Sequence, residues 1–150
     1  MNAYLHFPLM LLFLMSIFSC KTTRYTADNL PPKQIVFGKG GGITGAITSY
    51  ILLENGQVFL SEGLNDPKVT EYRKIGKRKA RKLFEQCDSL MQDAPVVQSP
   101  GNVYHFMEFK GEAESGKMIW GNPDYQCPAA VEGMYKDLRE KVIKTSKNNN

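Results

Sequence analysis

The sequence predicts an α+β domain: an antiparallel sheet of four or five strands with two helices packed on one face. Three observations carry this expectation. Asn55-Gly56 sits between two alternating apolar runs, and both residues tolerate the positive φ of a type I′ hairpin turn. A second pair of strand-like runs lies within residues 103–121. Two further segments, 76–92 and 129–144, repeat apolar residues at helical spacing. The order is hairpin, helix, hairpin, helix. Hairpins make antiparallel pairs, and two helices with one apolar face each can cover the same side of one sheet.

The first hairpin begins with "AITSYILLENGQ". Ile47, Ser49, Ile51 and Leu53 point one way, and Thr48, Tyr50, Leu52 and Glu54 the other. "QVFLSE" returns, and Asn65–Pro67 breaks the pattern. "KVTEYRKI" reads equally as a third strand or as the start of the next helix. In "GKRKARKLFEQCDSLMQ", Ala80, Leu83, Phe84, Cys87, Leu90 and Met91 fall in one stripe, with Arg78, Lys79, Arg81 and Lys82 opposite. After the loop "DAPVVQSPG", "NVYHFMEFKG" carries apolar groups on both faces, which predicts a central strand. "EAES" lies in its turn region, and "GKMIWG" returns. Pro128 suits the first turn of the second helix. There Val131, Met134, Tyr135, Leu138 and Val142 share a face, and Glu132/Lys136, Asp137/Lys141 and Glu140/Lys144 are i,i+4 pairs.

"FGKGGGITG" stands ahead of the first hairpin. Gly40, Gly42 and Gly45 fit G-x-G-x-x-G, the dinucleotide fingerprint. That loop works when its last glycine opens a helix whose N-terminus faces the pyrophosphate. The residues after Gly45 are β-branched and aromatic and end in a hairpin turn, so the required context fails. No nucleotide cofactor is expected. Gly40, Gly41 and Gly42 read as a bulge or turn, with an anion or peptide site in their free N–H groups as the alternative.

The chain opens with an apolar run, Pro8–Phe18, of signal-peptide length and too short to span a bilayer. Ile17-Phe18-Ser19-Cys20 resembles a bacterial lipobox, although Phe18 is bulky for its place and no Lys or Arg precedes the run. The resemblance implies a signal peptide over 1–19 and acylation of Cys20, with palmitate-type chains that anchor the protein firmly. Residues 20–33 then read as a polar tether, 34–145 as the single α+β domain, and 146–150 as a frayed tail. Lys21-Thr22-Thr23 lacks the aspartate of inner-membrane retention and the acidic cluster of surface export. The expected location is therefore the outer membrane, facing the periplasm.

All 19 basic and 15 acidic residues lie beyond Cys20, so the +4 charge belongs to the mature chain. Nucleic acid would suit that charge, but the export signal argues against it, and no nucleic-acid partner is expected. Arg73, Lys74, Lys77, Arg78, Lys79, Arg81 and Lys82 put seven cations in ten residues. They read as a solvated helix face, or as a weak contact with anionic headgroups or an acidic envelope polymer. Cys87 and Cys127 can pair in an oxidising envelope or stay buried as free thiols. His105 is the one histidine left after processing, which leaves no multi-histidine metal site. Trp120, Asn122, Asp124, Tyr125 and Gln126 combine aromatics and amides on a loop, as carbohydrate or peptide recognition does; core packing is the plainer role for Trp120.

"FGKGGGITG", the strand ending in "LLENGQ", the Lys-rich helix, "PGNVYHFMEFK" and "MIWGNP" together resemble a group of small lipoproteins of Bacteroidetes, Flavobacteriales type. The resemblance spans about residues 35–143 and implies a compartment and a domain rather than a reaction. Three functions compete. The first is a non-catalytic binder of a protein or envelope polymer. The second is an inhibitor or immunity-type protein that plugs an envelope enzyme with a loop. The third is a hydrolase using His105 with a serine or Cys127.

Overall fold

The computed structural model describes residues 23–93, 97–111 and 115–144. The apolar N-terminal segment, Cys20 and the tail beyond residue 144 lie outside the described residues. The strands are β1 (Gln34–Gly41), β2 (Ile47–Leu52), β3 (Gln57–Gly63), β4 (Lys68–Lys74), β5 (Gln98–Ser99), β6 (Val103–Lys110) and β7 (Ser115–Trp120). The helices are α1 (Lys77–Asp93) and α2 (Ala129–Leu138), and α2 runs on into a π turn, Arg139–Ile143.

The fold is α+β, but the sheet has seven strands in the order β4-β3-β2-β1-β6-β7-β5. Two features depart from the expected four or five antiparallel strands. β1 joins the two hairpins, pairing with β2 on one side and β6 on the other. Its sequence hides this: a strand buried on both faces has no alternation, and its last residues are glycines that read as a bend. β5 pairs in parallel with β7 over two residues, which makes the sheet mixed. Residues 68–74 are strand, at one edge of the sheet, with Lys and Glu side chains that blunt the edge. The Asn55-Gly56 turn forms, with Gly56 at φ +90°, and β6 lies inside the sheet as its two-sided pattern predicts.

Both helices cover one face. Ile35, Phe37, Leu52, Met107, Phe109 and Met118 of the sheet meet Leu83, Phe84 and Cys87 of α1 and Val131, Leu138 and Val142 of the second helical segment in one core cluster. Pro128 sits at the N-cap of α2, and its carbonyl accepts from the Val131 and Glu132 amides. Of the three expected ion pairs along this helix, Asp137–Lys141 and Glu140–Lys144 form.

The opposite face is also apolar. Val36, Ile51, Leu53, Phe59 and Phe106 form a second cluster there, and Tyr25, Ala27 and Leu30 pack on it. Most of the stretch read as a tether thus touches the domain. The Tyr25 amide donates to Gln57 Oε1 at 2.8 Å, Gln57 Nε2 donates to the Tyr25 carbonyl at 3.1 Å, and Arg24 pairs with Glu71. A sheet face without a helix needs such cover, since exposed apolar surface costs roughly 25 cal/mol per Å². Among the described residues no helix is long and apolar enough to cross a membrane.

Candidate functional site

The glycine run is half strand and half turn. Gly40 lies on β1 opposite Tyr104, and Gly41, at φ +95°, lies opposite Val103. The Gly42 amide donates to the Asn102 carbonyl at 2.8 Å, and the Gly45 amide donates to the Gly42 carbonyl at 3.1 Å, closing the turn. Gly45 leads into β2, so the chain continues as strand on both sides of the run and no helix opens there. Ile43, at the tip, is fully exposed, and Leu64 and Val103 nearby are more than half exposed.

The loop after β7 reaches the same end of the sheet. The Asn122 amide donates to the Ser99 carbonyl, and Asn122 Oδ1 accepts from the Asp124 amide at 3.0 Å. Trp120 is core: it is 6 % exposed and meets Tyr135 edge-on at 5.2 Å. Tyr125 also packs inward, while Asp124 faces solvent. The glycines and this loop therefore flank the start of β6.

A cleft of about 460 Å³ opens on the helix-covered face, toward the glycine end. The two-residue period of the strands builds its floor. Phe37 and Lys39 of β1, Thr48 and Tyr50 of β2, and Val103 and His105 of β6 line it, while Tyr135 and Arg139 form its wall. Lys39 pairs in register with Thr48 on one side and His105 on the other. Tyr135 fixes the wall: its buried hydroxyl donates to the Gly38 carbonyl at 2.9 Å. Its ring lies 5.1 Å from His105 and 6.3 Å from Phe37, and the Arg139 guanidinium lies over it at 6.0 Å. Phe37 stacks on Tyr50 at 5.7 Å, and Tyr72 closes on Tyr50 edge-on. The π turn widens the helix directly after α2, where it carries Arg139.

The charged side chains that line the cleft, Lys39 and Arg139, are both positive; the carboxylates within electrostatic reach are Glu62, in register with Thr48, and Glu132 of α2. Among the described residues neither Lys39 nor Arg139 forms an ion pair. Burial, then Arg139 and Lys39, hold the His105 imidazole below its ordinary pKa against a weaker opposing pull from Glu132. Burial raises the Tyr135 phenol, and burial and then Tyr72 raise that of Tyr50. At neutral pH the cleft therefore holds two cations, a neutral imidazole and two neutral phenols. Such a set offers donors and positive potential to an anion, with ring faces for an apolar body.

The other singled-out residues lie elsewhere. Among the described residues no serine, cysteine or carboxylate hydrogen-bonds to His105, and no group of three metal-ligating side chains forms. Cys87 and Cys127 are free, buried thiols in one core cluster. Burial, and secondarily Asp88, pushes the Cys87 thiol up to about 12; burial, and then Glu132, raises Cys127. Arg73 and Lys74 end β4, and the other five cations of the basic run occupy the first six residues of α1. Arg73 donates to the Ile143 carbonyl at 3.4 Å.

Sequence reasoning singled out His105 but missed Lys39, Tyr50, Tyr135 and Arg139 as a group. They come from four separate elements, and the one local signal was a lysine set among strand residues and glycines. No protein-family model matches the chain, and no curated protein matches it significantly.

Proposed function

We propose that the chain is a non-catalytic binding module of the bacterial envelope. In this reading it is anchored through acylated Cys20 at the outer membrane, faces the periplasm, and seats an anionic group of a protein or envelope polymer in the cleft. One observation carries the binding part: Lys39 and Arg139 face the same aromatic-walled cleft, and neither has an ion-pair partner among the described residues. Hydrogen bonds to charged groups contribute about 1.5–3 kcal/mol, so losing either cation should weaken binding roughly ten- to hundredfold.

Photo-crosslinking in cells tests this. A photoreactive residue at Thr48, on the cleft rim, should capture a discrete partner that the same residue at Gln86, on the exposed face of α1, does not. Lys39→Ala and Arg139→Ala should each abolish the capture. Identical adducts from both positions, or adducts that survive both substitutions, would refute the reading. For the anchor, Cys20→Ala should abolish labelling by a fatty-acid analogue and release the chain from membranes. Protease digestion of the domain on intact cells would count against the periplasmic face.

Ile43 favours a second reading, an inhibitor or immunity-type protein. A fully exposed isoleucine on a turn held by Gly41, Gly42 and Gly45 has the form of a plug. The protein would then block an envelope muramidase or protease, and Ile43→Asp would relieve the block while leaving capture at Thr48 intact.

A further inference from the structure

The two ends of the sheet differ in kind. The N-terminal chain docks at the Asn55-Gly56 end: Asn55 Nδ2 donates to the Thr23 carbonyl at 2.7 Å. The Tyr25–Gln57 bonds and the Arg24–Glu71 pair hold the next residues. The start of α1 packs on the same turn. The Ile75 amide donates to the Gly56 carbonyl at 2.8 Å, and a Cβ built on Gly56 would lie 3.5 Å from the Lys77 nitrogen. Cys20 precedes Thr23 by three residues, which span at most about 11 Å. The glycine turn, Ile43 and the mouth of the cleft lie at the other end, about 25 Å away along the eight residues of β1.

From this juxtaposition we infer that the domain stands on anionic phospholipid through the basic start of α1, with the cleft and the Ile43 tip pointing away from the bilayer. The charge supports this. Lys74, Lys77, Arg78, Lys79, Arg81 and Lys82 are all exposed, and none forms an ion pair among the described residues. The first turn of α1 holds no acidic residue, so the positive end of the helix dipole adds to the cations instead of being offset by a carboxylate. That arrangement works against the isolated helix and suits an external anionic surface. The short reach from Cys20 lets the patch settle against the headgroups, where each Lys or Arg in contact with the surface contributes about fivefold in binding, an effect that falls away within a Debye length.

The orientation rests on the proposed acylation of Cys20, and the test separates the two. In the first arm the full lipidated chain is placed on vesicles bearing a headgroup energy-transfer acceptor, with a donor at Gly76 or at Ile43. Gly76 is exposed, and an added side chain there meets nothing within 4 Å. On vesicles containing phosphatidylglycerol, Gly76 should transfer strongly and Ile43 weakly, and on phosphatidylcholine alone the difference should shrink. In the second arm the Cys20→Ala chain is sedimented with the same vesicles. Binding should require phosphatidylglycerol, weaken with salt, and fall about fivefold for each of Lys77→Gln, Arg78→Gln and Lys82→Gln. Equal transfer from both positions on an acylated chain would overturn the orientation alone. A wild-type chain that takes up no fatty-acid label would overturn the anchor and the orientation with it. A triple variant that sediments like the parent would overturn the lipid contact. So would capture by a soluble acidic polysaccharide without partition onto vesicles, which would assign the patch to a polymer.

Discussion

Replacing the three consecutive glycines one at a time with alanine should give three different results, because each is glycine for a different reason. Gly42, at φ +76°, has open space around it: the nearest atom to an added Cβ is Val103 Cγ2 at 4.0 Å. Gly42→Ala should cost only the left-handed conformation, about 1–2 kcal/mol. Gly41, at φ +95°, carries the same penalty and adds a steric one, since its Cβ would overlap the Asn102 carbonyl oxygen. That oxygen cannot retreat freely, because it accepts the Gly42 amide at 2.8 Å. Overpacking of this kind costs about 1–3 kcal/mol more, so Gly41→Ala should lose about 2–5 kcal/mol in all. Gly40 has no positive φ, and the three atoms nearest an added methyl, at 2.6–3.1 Å, all belong to the Tyr104 side chain, its hydroxyl oxygen foremost. Its loss should shrink in a Gly40→Ala/Tyr104→Ala double variant, a coupling that Gly42→Ala should not show. Urea unfolding measures all of these, with an unchanged m-value showing that only stability moved. Gly41→Ala and Gly42→Ala losing equal stability, or Gly41→Ala proving neutral, would refute the reasoning.

The depressed pKa of His105 makes stability depend on pH. Below its ordinary value of about 6.5 the unfolded chain takes up a proton that the folded chain resists, so stability should fall as pH drops from there toward the folded value. His105→Gln should flatten that slope in urea titrations, and an unchanged slope would reassign it to other groups. Cys87 and Cys127 are buried with raised pKa values, so iodoacetamide at mildly alkaline pH should modify both only in denaturant; rapid native labelling would count against their burial. ATP and NAD should leave the melting temperature unchanged, whereas a saturable rise that disappears in Gly42→Val would restore the nucleotide reading of the glycines.

What could be read from the sequence follows from how local each signal is. The stripes of α1 and α2, and the β2–β3 and β6–β7 pairs, are written within contiguous residues, and the structure places them where the periodicity does. β1 is different. It is paired along both edges and covered on both faces, with Ile35 and Phe37 toward the helices and Val36 away from them, and three consecutive apolar residues followed by glycines and Lys39 carry no period to detect. β5 is two residues long and exists only because β7 lies beside it. Tyr25, Ala27 and Leu30 are too sparse among polar neighbours to announce themselves, yet they help to cover the second face of the sheet. The cleft was least legible, because its lining comes together through strand register and helix docking, neither of which a single segment encodes.

The cleft residues also divide by what they do for the fold. Tyr135 serves stability: it satisfies a strand carbonyl and packs against Phe37, Trp120 and His105. Lys39 and Arg139 do the opposite. They stand near a half-buried histidine whose pKa is held down first by burial and then by Arg139 and Lys39, and neither gains an ion pair among the described residues. Like charges gathered around one opening raise the energy of the folded state unless an anion joins them. A domain of this size has few kcal/mol to spare, and the anion seat proposed for the cleft would offset the cost of holding this pair together. The same reasoning applies at the other end of the sheet, where five cations crowd the first six residues of α1 without one carboxylate among them. Two electropositive regions at opposite ends of one seven-stranded sheet are what a module needs if one end is held at a surface and the other is held out to a partner, as proposed.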